Sequence, residues 1–108
     1  MATLATQAVA LTGLEAVYSA AAAGGDKFTP TRTTFLHVKN GDVSDKTVTV
    51  VTPGTVLGLA IADAATVVTA GEERFIGPFD PAVFAGSDGL ASITYSAVTS
   101  VTVAVVVV

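Results

Sequence analysis

The nine residues Ser100-Val-Thr-Val-Ala-Val-Val-Val-Val108 constrain this chain more than any other stretch. Val and Thr are branched at the β-carbon and suit a pleated strand. Successive side chains on a strand point to opposite faces. One set is then Val101, Val103, Val105 and Val107, and it is expected to face a core. The other set is Thr102, Ala104, Val106 and Val108. It starts polar and turns apolar, which a strand with one wet face does not do. Left bare, it would invite aggregation, since no charge or proline guards it. The expectation is that Val106 and Val108 are covered by a neighbouring chain or by the N-terminal arm, with a frayed end that meets no partner as the alternative.

A membrane would be another cover, but the pattern argues against it. A spanning helix needs about 20 mostly apolar residues. The run from Ala97 is shorter, and Thr99, Ser100 and Thr102 interrupt it. The opening stretch, MATLATQAVALTGLEAVYSAAAAGG, lacks the basic start of a secretory signal, and Gln7 and Glu15 break its apolar run. Neither a membrane nor a leader is expected.

At 108 residues the chain suits a single domain, 1–108, with a small core. Residues 1–12 are expected to form an extended arm or a first strand. Charged residues make up only 13%, against about 25% in an ordinary soluble domain, and mean hydropathy is +0.69. Much of the surface is therefore expected to lie against other protein. Cysteine is absent, which excludes disulfides and thiolate metal sites. The net charge is −4, with no basic stripe to neutralise phosphates, so nucleic acid is not an expected partner.

Hydrophobic alternation of period two runs through most of the chain. It predicts strands at 6–11, 33–39, 46–51, 65–69, 73–77, 91–95 and along the tail, with 56–62 as a further strand or packed loop. Leu36 and Val38 share one face of their strand, as do Val48 and Val50 of theirs. Asn40-Gly41, Thr52-Pro-Gly54, Ala70-Gly71 and Ser87-Asp-Gly89 punctuate these runs. Asp80-Pro81 predicts one helical turn, with Asp80 as N-cap. About seven short strands separated by turns indicate an all-β, single-domain β-sandwich or jelly roll, with a small β-barrel as the alternative.

Chemistry is sparse. His37 is the only histidine. A general base needs a hydroxyl or carboxylate partner, and none is near it in sequence, so it is expected to be structural. Asn40-Gly-Asp-Val-Ser-Asp45 clusters oxygen atoms but lacks EF-hand spacing and is expected to be a hairpin loop. Ser87 belongs to a turn, not to a nucleophile motif. Phe75, Phe79 and Phe84 predict a core corner, with an exposed binding patch as the alternative. Glu72-Glu73-Arg74 is a solvated strand start or the rim of an interface. No catalytic, cofactor or metal site is expected. The candidate interface residues are Leu4, Val9 and Leu11 on the arm, Glu72 and Arg74 at the charge cluster, and Val106 and Val108 on the tail.

Four stretches carry a resemblance: Gly25-Asp-Lys-Phe28, Thr34-Phe-Leu-His-Val-Lys-Asn40, Thr47-Val-Thr-Val-Val-Thr-Pro-Gly54 and Ala70-Gly-Glu-Glu-Arg-Phe-Ile-Gly-Pro-Phe79. The chain resembles small all-β virion structural proteins of tailed phages and prophages of actinobacteria. That resemblance implies a non-enzymatic role, foremost as a capsid decoration (cement) protein. Its partner would be the major capsid protein or another virion protein, and it would be made in the host cytoplasm and end in the virion. It would form a homo-oligomer, with a trimer as the expected state. A head–tail or tail component is the nearest alternative. A secreted β-sandwich that binds carbohydrate or protein is another, although the absence of Trp disfavours sugar stacking.

Overall fold

The computed structural model describes residues 2–108. In chain order the elements are β1 (Ala2–Thr3), β2 (Thr6–Ala8), β3 (Ser19–Ala20), β4 (Asp26–Phe28), β5 (Thr34–Asn40) and β6 (Lys46–Val50). Next come β7 (Thr55–Val56), β8 (Leu59–Ala60), β9 (Ala64–Val68), β10 (Glu73–Ile76), α1 (Pro81–Phe84), β11 (Ala91–Tyr95) and β12 (Val101–Val107). Two open sheets result. The first has the order β1-β4-β11-β6-β9; the second has β10-β5-β12-β2, with β3 also pairing β12. β7 and β8 form a separate hairpin. The architecture is all-β and sandwich-like, not a closed barrel. The seven expected strands are present as β2, β5, β6, β9, β10, β11 and β12. The alternation signal needs four or more residues, so it missed the short β1, β3 and β4.

The core is one cluster drawn from both sheets. Phe28, Val48, Val50, Val68, Ala91 and Ile93 come from the first, and Leu36, Val38, Val101, Val103 and Val105 from the second. β5 and β12 are its spine, paired antiparallel over seven positions from Val101↔Asn40 to Val107↔Thr34. Each fully buried Val contributes on the order of 1.5–3 kcal/mol relative to exposure.

β12 is buried on both faces. Val101, Val103 and Val105 meet the core, while Ala104 and Val106 on the opposite face are only 2% and 5% exposed. The arm supplies part of the explanation. β2 adds to the far edge of β12 in parallel, setting Gln7 beside Val106, and β3 continues along that edge at Thr102 and Val103. Upstream, β1 pairs with β4 in the other sheet, and Leu4 between the two pairings is 8% exposed within the core. The arm therefore laces the sheets together. Val106 and Leu4 are interior residues, which corrects their place among the interface candidates. Val107 is only half-buried and Val108 is exposed, so coverage fades at the strand's end.

Two turns are set by particular residues. Asn40-Gly41, although an Asn-Gly pair suits turns with positive φ, uses none. The Asn40 amide, 2% exposed, closes the turn instead. Its nitrogen donates to the Ser44 and Val68 carbonyls, and its oxygen accepts the Asp42 N–H at 3.0 Å. At Gly77 the strand alternation of β10 breaks. Gly77 has φ 144°, and a Cβ there would lie 2.9 Å from the Phe35 backbone. Phe79 consequently turns inward against Phe28 and Phe84, with ring centroids 5.0 and 5.1 Å away, while Phe75 stays outside. The helical turn forms as expected: the Ala82 N–H donates to the Asp80 carboxylate at 2.9 Å.

Gly77→Ala should therefore destabilise the protein by about 2 kcal/mol or more, read from its urea midpoint. A second expectation concerns acid. The Lys46 ammonium donates to Asp42 at 2.7 Å and, with the Val43 N–H, holds that carboxyl below its usual value of 3.8. The stability this brings is present above about pH 4 and is lost as pH falls through the depressed folded value. Asp42→Asn should therefore lose less stability than the wild type between neutral pH and about pH 3, by urea titration at each pH.

Candidate functional site

The outer face of the second sheet carries the densest chemistry. Alternation on β5 turns Phe35, His37 and Lys39 outward, and the register of β10 places Phe75 beside His37 and Glu73 beside Lys39. Ala104 of β12 is the other neighbour of His37. Tyr18 precedes β3 and reaches across this face. Its hydroxyl lies 2.5 Å from His37 Nδ1, and Lys39 Nζ stands 4.1 Å above its ring. The Phe75 ring stacks on the imidazole at 4.0 Å with a 15° tilt. Glu73 Oε1 is 3.1 Å from His37 Nε2 but off line for a hydrogen bond, so it acts as a charge beside the ring.

His37 thus has the hydroxyl and the carboxylate that sequence proximity did not offer. The order hydroxyl–imidazole–carboxylate is one that can activate a nucleophile. Here His37 is only 6% exposed, its ring is capped by Phe75, and neither it nor Tyr18 lines the neighbouring groove. The arrangement fastens residues 9–18 to the sheet. A second clasp closes the same segment: the Gln7 side chain donates to the Val17 carbonyl at 2.8 Å and accepts the Val17 N–H at 2.7 Å. Between these ties, Val9, Leu11 and Val17 are exposed.

Beside this fastening lies an open apolar groove of about 550 Å³, formed by Phe35, Phe75, Ile76, Pro78 and Val108, with Arg32 at its rim. Phe35 and Phe75 meet edge to face at 5.5 Å, and Phe75 is 66% exposed. Val108, expected to be covered, is 71% exposed and belongs to this groove. The adjoining sheet edge is blunted by Arg74. Its guanidinium donates to the Glu73 carbonyl at 2.9 Å and pairs with Glu72 at 2.9 Å.

The two ends of the sandwich differ. β5 starts and β6 stops at one end, where the Val108 N–H bonds the Thr33 carbonyl, the Gly54 N–H bonds the Val83 carbonyl of α1, and the β7–β8 hairpin follows β6. The hairpin tip presents Leu57 and Leu59, 98% and 71% exposed. At this end Lys27 pairs with Asp88 at 2.6 Å and Asp63 accepts from Thr52 at 2.9 Å, while Arg32, 82% exposed, lies 3.7 Å from Asp80. The opposite end holds Asp42, Asp45 and Glu72 in its turns, with Val43 exposed among them.

Of the interface candidates, Val9, Leu11, Glu72, Arg74 and Val108 are at the surface, while Leu4 and Val106 are not. Sequence reading missed Tyr18, whose partner lies 19 positions away. It also missed Asp26, fully buried and accepting from the Tyr95 hydroxyl at 2.8 Å. Burial, and then the Asp26 carboxylate, push the Tyr95 phenol well above its usual value, so it remains a donor. Among the described residues, no cluster of ligands could hold a metal, and no helix is long and apolar enough to cross a membrane.

Tyr18→Phe should cost about 1 kcal/mol and raise amide exchange selectively across residues 9–20, leaving β5 and β12 protected. Uniform exchange across the chain would show that Tyr18 is not a local fastening. No protein family, curated protein or solved structure matches this chain.

Proposed function

We propose that this chain is a non-enzymatic virion structural protein, a capsid decoration (cement) protein that docks end-on on the outer surface of a phage shell. The observation that carries the reading is the exposure of Leu57 and Leu59 at the tip of the β7–β8 hairpin, at an end of the sandwich where Lys27 is paired with Asp88 and Asp63 accepts from Thr52. The resemblance to virion proteins supplies the class of partner, the major capsid protein. At about 25 cal/mol per Å², a modest apolar contact contributes several kcal/mol before association costs. Multivalent engagement of a repeating shell would add avidity.

The hairpin tip carries a further sign of use. Leu57 and Gly58 have φ of 53° and 80°. Such a turn is favoured by Asn-Gly, and a left-handed Leu costs about 1–2 kcal/mol. An exposed, strained leucine brings no benefit to folding and is the kind of outlier that accompanies a functional surface.

Leu57→Asn should raise stability by about 1 kcal/mol, or about 4–8 °C in Tm, while weakening shell binding. Leu57→Lys combined with Leu59→Lys should abolish co-sedimentation with undecorated capsids of the phage that encodes the protein. Wild-type protein that stays in the supernatant at micromolar concentration, or that binds tails and not shells, overturns the reading.

A further inference from the structure

The loop 9–17 and the apolar groove are complementary, and they belong to opposite edges of one sheet. The loop leaves from β2, the strand beyond β12, and returns at β3 on the same side. The groove lies at β10, the other edge strand. The loop offers aliphatic side chains, with Leu11 fully exposed, Val17 at 70% and Leu14 at 37%. The groove offers the Phe35 and Phe75 rings with Ile76, Pro78 and Val108. Its volume of about 550 Å³ falls within the usual range for a binding cleft and admits several aliphatic groups.

Charge matches as well. Glu15 is the sole acidic or basic side chain in residues 1–25, and Arg32 carries the sole charged side chain lining the groove. Arg32 is 82% exposed and only loosely engaged by Asp80 at 3.7 Å, so it can take a second carboxylate. In the folded chain the loop does not occupy its own groove, and its ends are tied down. Gln7 clamps Val17, Tyr18 is tied to His37, and the Val9 N–H bonds the Val107 carbonyl at 2.9 Å.

We propose that the groove receives the 10–17 loop of a second copy of this chain, with Leu11 and Leu14 on the phenylalanine floor and Glu15 at Arg32. Because donor and acceptor surfaces differ and sit at opposite sheet edges, the contact is head-to-tail. Contacts of this kind generate rings if the rotation closes and open chains if it does not. The lateral contact leaves the Leu57–Leu59 hairpin free and does not rest on the capsid reading.

Sedimentation of purified protein, without any shell, tests it. Wild-type protein should sediment as a multimer at high micromolar concentration. Leu11→Lys with Glu15→Lys blocks the loop and spares the groove; Arg32→Glu with Val108→Glu does the reverse. All four positions are exposed, and far-UV circular dichroism should match the wild type. Each variant alone should be monomeric. An equimolar mixture should form a dimer and nothing larger, because one intact loop meets one intact groove. Glu15→Arg should dissociate the multimer, and adding Arg32→Glu to it should restore association. Monomeric wild-type protein, variants that still multimerise alone, or a mixture that stays monomeric would each overturn the proposal.

Discussion

β12 is a strand without a wet side, and the rest of the fold arranges itself around that constraint. Its inner valines meet the core, which any sandwich provides. Its outer Ala104 and Val106 need cover of their own. That cover draws in β5 on one edge, β2 and β3 on the other, and the Tyr18 side chain reaching across the face. The arm that serves β12 also bonds β4 in the opposite sheet, with the Leu4 N–H donating to the Lys27 carbonyl at 2.7 Å. One apolar strand thus accounts for a bridge between sheets that no turn signal would predict.

The fastening at His37 follows from the same demand. A segment rich in Ala, Leu and Val with a single charge has little reason to hold a fixed path over a sheet. Polar ties supply the direction that burial lacks. Gln7 closes the loop and Tyr18 anchors it, and Lys39 over the Tyr18 ring adds an attraction worth about 0.5–1 kcal/mol at an exposed site. The hydroxyl, imidazole and carboxylate come together here as a positional device. Their contacts are closed by Phe75 and do not face the groove.

How legible this was in the sequence depends on the range of the forces. Alternation located β5, β6, β9, β10, β11 and β12 because a strand's own side chains report its two faces. The N-cap at Asp80 was legible because its acceptor and donor lie two residues apart. The Phe75–Phe79–Phe84 corner was only partly legible. Period two carries no information across a glycine at φ 144°, so Phe75 was assigned to a core it never enters. The Tyr18–His37 pair and the buried Asp26–Tyr95 pair were not legible, since 19 and 69 positions separate their members. The anomaly of the tail was visible as an anomaly, and its cover by the arm was one of two alternatives. The structure selects the arm for Val106 and leaves Val108 in the groove.

The exposed apolar residues also stand apart from the core in a way that matters for how such a protein can work. None of Leu11, Leu57, Leu59, Phe75 or Val108 belongs to the buried cluster. A small domain has little stability to spare, and the contact surfaces proposed above are carried by residues whose replacement leaves packing alone. The free sheet edge is treated in the opposite manner. Where backbone groups could pair with any passing strand, Arg74 covers the Glu73 carbonyl and Glu72 neutralises Arg74. Nonspecific strand addition is suppressed at the edge that borders the groove, while side-chain recognition within the groove is left open. That division, a blunted backbone edge beside an unblunted aromatic floor, favours partners that arrive with the right side chains over partners that merely arrive extended.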